Sequence, residues 1–372
     1  MMNIKQYTSG NGVDLSREKE IGNARHVYIE ANNLYSLREH FKPESLDFLF
    51  INDINATKFH RILIKEMLIY CKVNGNIILK LTNNKLLNFN RLLDEAKLCI
   101  LDKGKIIEND NENNIIVIKK TKPFLKKDDS ITKWSFGIIT NGKKNDCVEK
   151  QIQSIKSQKI LNYEIIVCGN YMKRKEKNFK YVFFEKYDTG WITGQKNELV
   201  KNAKYENLVV LHDRIVLDKD WYKEIKKYGN YFEVLSCKVH NDQEERCGDW
   251  ITYGNIFGMF GKIGMLDYKD WDKNGYIDGA LYILKKSVWK KVKWDETLYW
   301  NQGEDAKLSS DWYENGIVTR FNPFSSCLTL SWRHGILPLY EFNSQKLSKY
   351  PGRYNLIGRI KFYIKKILKY LS

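Results

Sequence analysis

The strongest constraint on the fold is a regular alternation of apolar runs and helical segments in the second half of the chain. Short runs rich in Ile, Val and Leu occupy residues 135–140, 163–168 and 207–211, and segments with helical periodicity at 148–158 and 194–203 lie between them. Runs that are apolar on both faces are typical of strands inside a parallel sheet, because helices cover both faces of such a sheet. The sequence therefore predicts an α/β fold.

The first half of the chain repeats this alternation in a shorter form. Strands are expected at 24–30, 46–51 and 76–81, a helix at 56–71, and a closing hairpin formed by 98–101 and 114–119. A polar, charged stretch then runs from about 102 to 130, and a new apolar strand starts at Trp134. We therefore predict two Rossmann-like domains, at residues 1–125 and 131–340, followed by a tail at 341–372.

Composition narrows the class of partner. The 372 residues include 62 Lys and Arg against 45 Asp and Glu, a formal net charge of +17. This excess favours polyanionic partners such as phosphorylated substrates, an anionic membrane surface or nucleic acid, although a general bias towards Lys, Asn and Ile also explains it. A basic stripe interleaved with stacking aromatic residues is not evident, so nucleic acid is the least expected of these partners.

The cysteines and the chain termini indicate the compartment. Seven cysteines are present without a CxxC pair, most of them in apolar runs, which is typical of reduced core residues. The irregular spacing of Cys237, His240 and Cys247 argues against a zinc site. The N-terminus has no apolar core of a signal peptide, and no run approaches the roughly 18 apolar residues of a membrane span. A cytoplasmic protein, soluble or peripheral to a membrane, is expected.

Polar residues follow the predicted strands of the second half at the point where each strand ends. Thr140 ends the first strand, Asn170 follows the second, and His212-Asp213-Arg214 closes the strand at 207–211. Open α/β sheets bind ligands at the carboxyl ends of their strands. We therefore expect these side chains to converge on one binding site.

An ordered set of short motifs in the second half resembles the family-2-like glycosyltransferases of the GT-A fold, over most of residues 134–335. The motifs are Ser154-Ile155-Lys156-Ser157-Gln158, Glu164-Ile165-Ile166-Val167, Lys196-Asn197, the strand ending at Asp213, Asp278-Gly279-Ala280, Trp294-Asp295-Glu296, Gly303-Glu304-Asp305 and the late His334. The resemblance implies a GT-A-type fold that binds a nucleotide-sugar donor.

The resemblance also implies a divalent cation, Mg²⁺ or Mn²⁺, that stabilises the departing diphosphate. In the family an Asp-x-Asp motif holds this ion, whereas His212-Asp213-Arg214 stands here. Asp213 can still ligate a metal, with His334 at the position of the family's late His ligand. Alternatively, the guanidinium of Arg214 neutralises the diphosphate directly and makes the reaction less dependent on metal.

The remaining site residues also follow from the resemblance. Asp305 would be the general base that deprotonates an acceptor hydroxyl, with Glu304 positioning the acceptor, although carboxylates also favour the first turn of any helix. One carboxylate acting by direct displacement implies inversion at the anomeric carbon. The expected donor contacts are Thr140, Asn170, Lys196, Asn197, His212, Asp213 and Arg214. Trp250, Trp271 and Trp300 would form a wall for sugar stacking, or else belong to the core.

The first half resembles a truncated class I methyltransferase. Ser45-Leu46-Asp47-Phe48 matches one family strand, the turn before Asn76 matches a second, and Asp14 matches the acidic end of an earlier one. Too few residues precede Asp14 for the family's first strand and its glycine-rich loop, so the backbone cradle for S-adenosylmethionine is missing. We expect a non-catalytic scaffold or dimerisation domain in which Asp14 and Asp47 have structural roles.

The tail has a helical pattern from Leu356, with an apolar arc and a basic opposite face. Such a helix either lies on anionic lipid, which would place the protein on the inner face of a membrane, or docks on the protein itself. The sequence thus predicts an inverting glycosyltransferase acting on a cell-surface glycan or a lipid-linked precursor. The alternatives are an inactive glycan- or nucleotide-binding module and an S-adenosylmethionine-dependent methyltransferase.

Overall fold

The computed structural model describes residues 4–82, 86–252, 263–331 and 339–340. The predicted α/β class is confirmed, because helices pack against two large sheets and a small third sheet. The predicted amphipathic helix at 341–372 lies outside the described residues. In the described part of the chain no helix has the length and apolarity needed to cross a bilayer.

The first half forms a six-stranded sheet with two helices. Its elements are β1 (Gly12–Asp14), β2 (Arg25–His26), β3 (Leu46–Ile51), α1 (His60–Tyr70), β4 (Cys71–Lys80), α2 (Phe89–Ile100), β5 (Gly104–Asp110) and β6 (Ile115–Lys120), with short 3-10 turns at Ile4–Tyr7 and Ile54–Ala56. The strand order is β2-β1-β3-β4-β6-β5. Strands β2, β1, β3 and β4 are parallel, and the β5–β6 hairpin closes the sheet in antiparallel fashion.

The closing hairpin differs from the predicted one. Its first strand is Gly104–Asp110, whereas residues 98–100 complete α2. The helix extends this far because Leu92, Ala96 and Cys99 lie on its buried face at helical spacing. The predicted strand at 24–30 shortens to two exposed residues, Arg25 and His26.

The second half contains the larger sheet. Its elements are β7 (Lys133–Thr140), α3 (Asn145–Ser157), β8 (Asn162–Gly169), β9 (Phe179–Phe183), α4 (Ile192–Lys201), β10 (Asn207–His212), β11 (Ile215–Leu217), α5 (Trp221–Tyr228), β12 (Val234–His240), β13 (Ile251–Thr252), β14 (Gly264–Leu266), β15 (Gly275–Tyr276), β16 (Leu281–Lys285), α6 (Lys286–Lys291), α7 (Glu304–Glu314), β17 (Thr319–Thr329) and β18 (Leu339–Tyr340).

Eight of these strands form a mixed sheet in the order β11-β17-β12-β16-β10-β7-β8-β9, and β15-β13-β14-β18 form the small sheet. Strands β10, β7, β8 and β9 are parallel, and β16 runs antiparallel beside β10. In the pairing register, Thr140 lies opposite Gly169, and His212 lies opposite Ile139. The carboxyl ends of three parallel strands therefore meet at one edge, and the start of β16 meets them there.

The two halves share one apolar core. Trp250, Trp271 and Phe321 from the second half pack in the same buried cluster as the apolar residues of α1 and α2. The ring of Phe321 also stacks on Tyr268, with ring centroids 4.3 Å apart. Because this cluster crosses from one sheet to the other, removing either half would expose aromatic side chains of the other half to water.

Candidate functional site

A cleft of about 410 Å³ opens at the carboxyl edge of β7 and β10. Its volume lies in the range typical of small-molecule sites, roughly 300–1,000 Å³. The residues that line it include three cationic and two acidic side chains together with polar and aromatic groups: Thr140, Asn141, Lys143, Lys144, Tyr187, Asp188, Gln195, His212, Asp213, Arg214 and Trp300. Four of the sequence-predicted donor residues, together with Trp300, therefore meet in one cleft.

The turn after β7 builds one wall of the cleft. The hydroxyl of Thr140 donates to Asp213 Oδ2 at 2.9 Å and accepts from the backbone N–H of Gly142 at 3.1 Å. Gly142 has a φ of +82°, and a Cβ there would lie 2.8 Å from the side-chain nitrogen of Asn170. Glycine at this position therefore lets the turn bend back so that Asn170 lies beside it.

Gln195 on α4 ties the ends of two strands together and was not expected from the sequence. Its side-chain nitrogen donates to the carbonyl of Thr140 at 3.0 Å and to the carbonyl of Cys168 at 2.6 Å. The side chain is almost fully buried. Lys143 and Lys144 were also missed, although they directly follow the predicted Asn-Gly turn at the end of a strand.

The turn after β10 supplies a carboxylate and a guanidinium. Burial raises the pKa of Asp213, while the Thr140 hydroxyl and the cations of Lys144 and Arg214 act in the opposite direction. Burial holds the pKa of His212 well below its usual value, and the nearby cations of Lys196 and Arg214 act in the same direction. Arg214 lies 3.9 Å from Asp278, measured from Nη2 to Oδ1, and its buried Nε has no hydrogen-bond partner among the residues that the structure describes. Arg214 therefore connects the cleft to the acidic residues beside it.

Three acidic residues, Asp278, Glu304 and Asp305, form a cluster beside the start of α7. The helix begins at Glu304 after Gly303, which has a left-handed φ of +74°. The backbone N–H of Gly279 donates to Asp305 Oδ2 at 3.3 Å. Burial, followed by the charges of Glu304 and Asp278, raises the pKa of Asp305 to about 6. A carboxylate with such a pKa can accept a proton efficiently near neutral pH.

Lys196 does not lie where the sequence predicted. Its ammonium is fully buried and donates to the carbonyl of Gly279 at 3.0 Å and to Glu304 Oε1 at 3.5 Å, and it does not line the cleft. The expected contact with a donor diphosphate is therefore corrected. The reason is the direction of α4, which turns this side chain toward α7 and away from the turn after β7.

Asn197 is also a structural residue. Its side-chain nitrogen donates to the carbonyl of Trp294 and to Glu296 Oε1, both at 2.9 Å, and its oxygen accepts from the indole of Trp289 at 2.9 Å. Its polar atoms are thus used in holding α4 against the segment before α7. The predicted donor contact of Asn197 is corrected accordingly.

The three tryptophans of the predicted stacking wall separate in the structure. Trp300 is 52% exposed and lines the cleft. Trp250 is 1% exposed and donates its indole N–H to the carbonyl of Asp270 within the shared core, where Trp271 also lies. Only Trp300 is placed to contact a ligand, and the acceptor role predicted for Trp250 is corrected.

Asp213 is the one predicted metal ligand that the structure describes, since His334 lies outside the described residues. The described part of the chain contains no group of three or more His, Cys, Asp or Glu side chains that could hold a metal ion. Asp218, close to Asp213 in sequence, instead accepts from His240 Nε2 at 2.8 Å. Mg²⁺ commonly binds through one or two carboxylates plus substrate phosphates, so Asp213 fits the role of a single protein ligand.

Comparison with known proteins gives partial likenesses only. The sequence matches no protein-family model, and no curated protein matches it. Among solved structures, TarS residues 1–349 from S. aureus is similar over 53% of this chain and 60% of its own, with 14% identity and a TM-score of 0.39. The same TarS fragment in complex with UDP-GlcNAc is similar over 54% of this chain and 60% of its own, with 14% identity and a TM-score of 0.38. GalNAc-T7 with UDP, GalNAc and Mn²⁺ is similar over 55% of this chain and 44% of its own, with 14% identity and a TM-score of 0.43. At this level of likeness, the function of the chain has to follow from its own side chains.

Proposed function

We propose that this protein is an inverting glycosyltransferase that moves a sugar from a nucleotide-diphosphate donor to an acceptor hydroxyl. The observation that supports this most is the juxtaposition of a cationic cleft with a partly buried acidic cluster, joined by the Arg214–Asp278 contact. Sugar transfer needs both parts, because one side must stabilise a departing diphosphate and the other must accept a proton.

The donor would lie in the cleft with its diphosphate near Lys143, Lys144 and Arg214. These cations meet the charge that grows on the leaving group, and a guanidinium suits the bidentate geometry of phosphate oxygens. Asp213 would hold a divalent cation that shares this work when it is bound. Asn141 and Asn170, at the ends of β7 and β8, offer amide groups for hydrogen bonds to the nucleoside.

The acceptor hydroxyl would approach from the side of α7. Asp305 takes the hydroxyl proton as the oxygen forms its bond to the anomeric carbon, and the bond from that carbon to the diphosphate breaks. The electron pair of the broken bond leaves with the diphosphate. Because a single carboxylate serves one direct displacement, the configuration at the anomeric carbon inverts. The exposed face of Trp300 is a stacking surface for a sugar ring at the mouth of the cleft.

We propose a glycan or a lipid-linked precursor as the acceptor, with the basic tail at 341–372 resting on anionic lipid at the inner face of the membrane. The excess of cations over the whole sequence supports this placement. The first half serves as a scaffold and is a candidate surface for homo-oligomer contacts. The class I methyltransferase resemblance of that half stays a prediction.

A panel of thermal unfolding measurements tests the proposal. UDP, GDP, CMP, dTDP and S-adenosylmethionine are each compared with and without Mn²⁺, since a ligand that binds only the folded state raises the unfolding midpoint. We expect one nucleoside diphosphate to raise the unfolding midpoint, and Arg214→Met to reduce that rise. The corresponding nucleotide sugar should then support sugar transfer, which Asp305→Asn slows by about 10²–10⁴-fold. Binding without any transfer would favour an inactive binding module, and a shift with S-adenosylmethionine alone would overturn the proposal.

A further inference from the structure

The buried ammonium of Lys196 occupies an unusual place beside the acidic cluster. It has no exposed surface, and the rings of Tyr282 and Trp294 lie 4.9 and 5.9 Å from its nitrogen. A buried lysine is costly unless an anion compensates it. Here the compensating group is Glu304, which is itself almost completely buried, at 3.5 Å.

Gly279 completes this arrangement. Its carbonyl accepts from Lys196 at 3.0 Å, while its N–H donates to Asp305 at 3.3 Å. A Cβ at this position would lie 2.7 Å from Glu304 Oε1, so the backbone passes directly against the Glu304 carboxylate. One peptide segment therefore contacts the lysine and both carboxylates at once.

We propose that Lys196 is a positioning residue for the transfer reaction, which holds the side chain of Glu304 against Gly279 and thereby leaves Asp305 as the carboxylate that accepts the acceptor's proton. This inference rests on the proposed function. It assigns Lys196 to the acceptor side of the site, although the residue never touches a substrate. Glu304 then acts through its fixed charge beside Asp305.

The electrostatic surroundings of Asp305 give the direction of the expected effects. The charged groups that face it are Glu304 on the same helix, Asp278 before β16 and Lys196 on α4. The two carboxylates raise the pKa of Asp305, and the ammonium lowers it. The phenol of Tyr282 faces the same carboxylates, and Arg214 faces Asp278. Removing Lys196 and removing Glu304 must therefore move the titration of Asp305 in opposite directions.

The experiment is a ¹³C NMR titration of full-length protein labelled at the aspartate carboxyl carbons, with Asp305→Asn used to assign the signal. A charge within a few ångströms shifts a carboxyl pKa by about 1–3 units. We expect Lys196→Met to raise the pKa of Asp305 by about 1–2 units and Glu304→Gln to lower it by a similar amount. The acid limb of kcat/KM should move with these values, whereas a merely structural role would lower kcat/KM without moving it.

A second comparison decides the question if Lys196→Met fails to fold. The double variant Lys196→Met with Glu304→Gln removes both buried charges, and its Asp305 should titrate within about half a unit of the unaltered protein. Equal titration in the double variant and in Glu304→Gln alone would overturn the role of Lys196. A different outcome would refute the proposed function instead. In that case the unaltered protein transfers no sugar, although Lys196→Met and Glu304→Gln still move the pKa of Asp305 in opposite directions.

Discussion

The buried ion pair between Arg320 on β17 and Glu66 on α1 should couple the two halves of the protein energetically. The side chains are 7% and 4% exposed, and 254 residues separate them in the sequence. Arg320 Nη2 also donates to the carbonyls of Asn33 at 3.2 Å and Tyr35 at 2.5 Å. We propose Arg320→Met and Glu66→Gln, singly and together, as the perturbation.

The magnitude follows from the charges left behind. Arg320→Met strands a buried carboxylate and two carbonyls, so the free energy of unfolding should fall by about 4 kcal/mol. Glu66→Gln strands a buried guanidinium that keeps its carbonyl partners, and should cost about 3 kcal/mol. In the double variant no buried charge lacks a partner, so its loss should be about 4 kcal/mol, against about 7 for independent sites. The expected coupling is therefore about 3 kcal/mol.

Urea unfolding followed by tryptophan fluorescence and by circular dichroism measures these values. Because the two halves share a core, we expect one transition with coincident midpoints from both probes. Lys97→Met is the matched control, since its partner Asp94 lies on the surface of α2 and the two side chains are 57% and 72% exposed. Its effect should stay below about 0.5 kcal/mol. A double variant that loses the full sum of about 7 kcal/mol would refute the coupling argument.

Three further predictions concern the site. Asp305→Asn should lower kcat by about 10²–10⁴-fold without weakening donor binding. In the unaltered protein kcat/KM should rise as the pH rises through about 6, because the base must be ionised to accept a proton. A kcat/KM that does not depend on pH would contradict this. Arg214→Met should weaken UDP-type ligands by at least about tenfold in calorimetry but leave the nucleoside alone unaffected, and equal losses for both would rule out a diphosphate contact. Trp300→Ala should raise KM at unchanged stability, whereas Trp250→Ala should cost about 3–5 kcal/mol of unfolding free energy, and the reverse pattern would refute their placement.

Much of the second half could be predicted because its signals are local. A strand that is apolar on both faces can be recognised from about six residues. The polar residues at its end lie at the ligand-binding edge, because ligands bind at the carboxyl ends of parallel strands. This is why Thr140, Asp213 and Arg214 were predicted together and lie in one cleft. The pair Glu304-Asp305 was found from the resemblance of its motif, and its effect on the pKa of Asp305 emerged only with the buried surroundings.

The residues that were misplaced lack such a local signal. Trp250 and Trp300 are the same residue type in similarly polar sequence contexts. Only the burial of Trp250 in the core that the two halves share distinguishes a core residue from a cleft residue. Lys196 sits in a helix whose start was predicted, but its partner Glu304 is 108 residues away. A pattern along the chain cannot specify whether the side chain of Lys196 points toward α7 or toward the turn after β7.

The sequence by itself determined the alternation of strands and helices, and with it the edge at which polar side chains collect, because both depend on periodicity and on strand direction. The tertiary structure alone decided the joining of the two sheets through one core, the Arg320–Glu66 pair and the enclosure of Lys196 among aromatic rings. The physical reason is that burial and charge pairing are properties of surfaces brought together from distant parts of the chain. The free energy of a charge depends on those surfaces far more than on its neighbours in sequence.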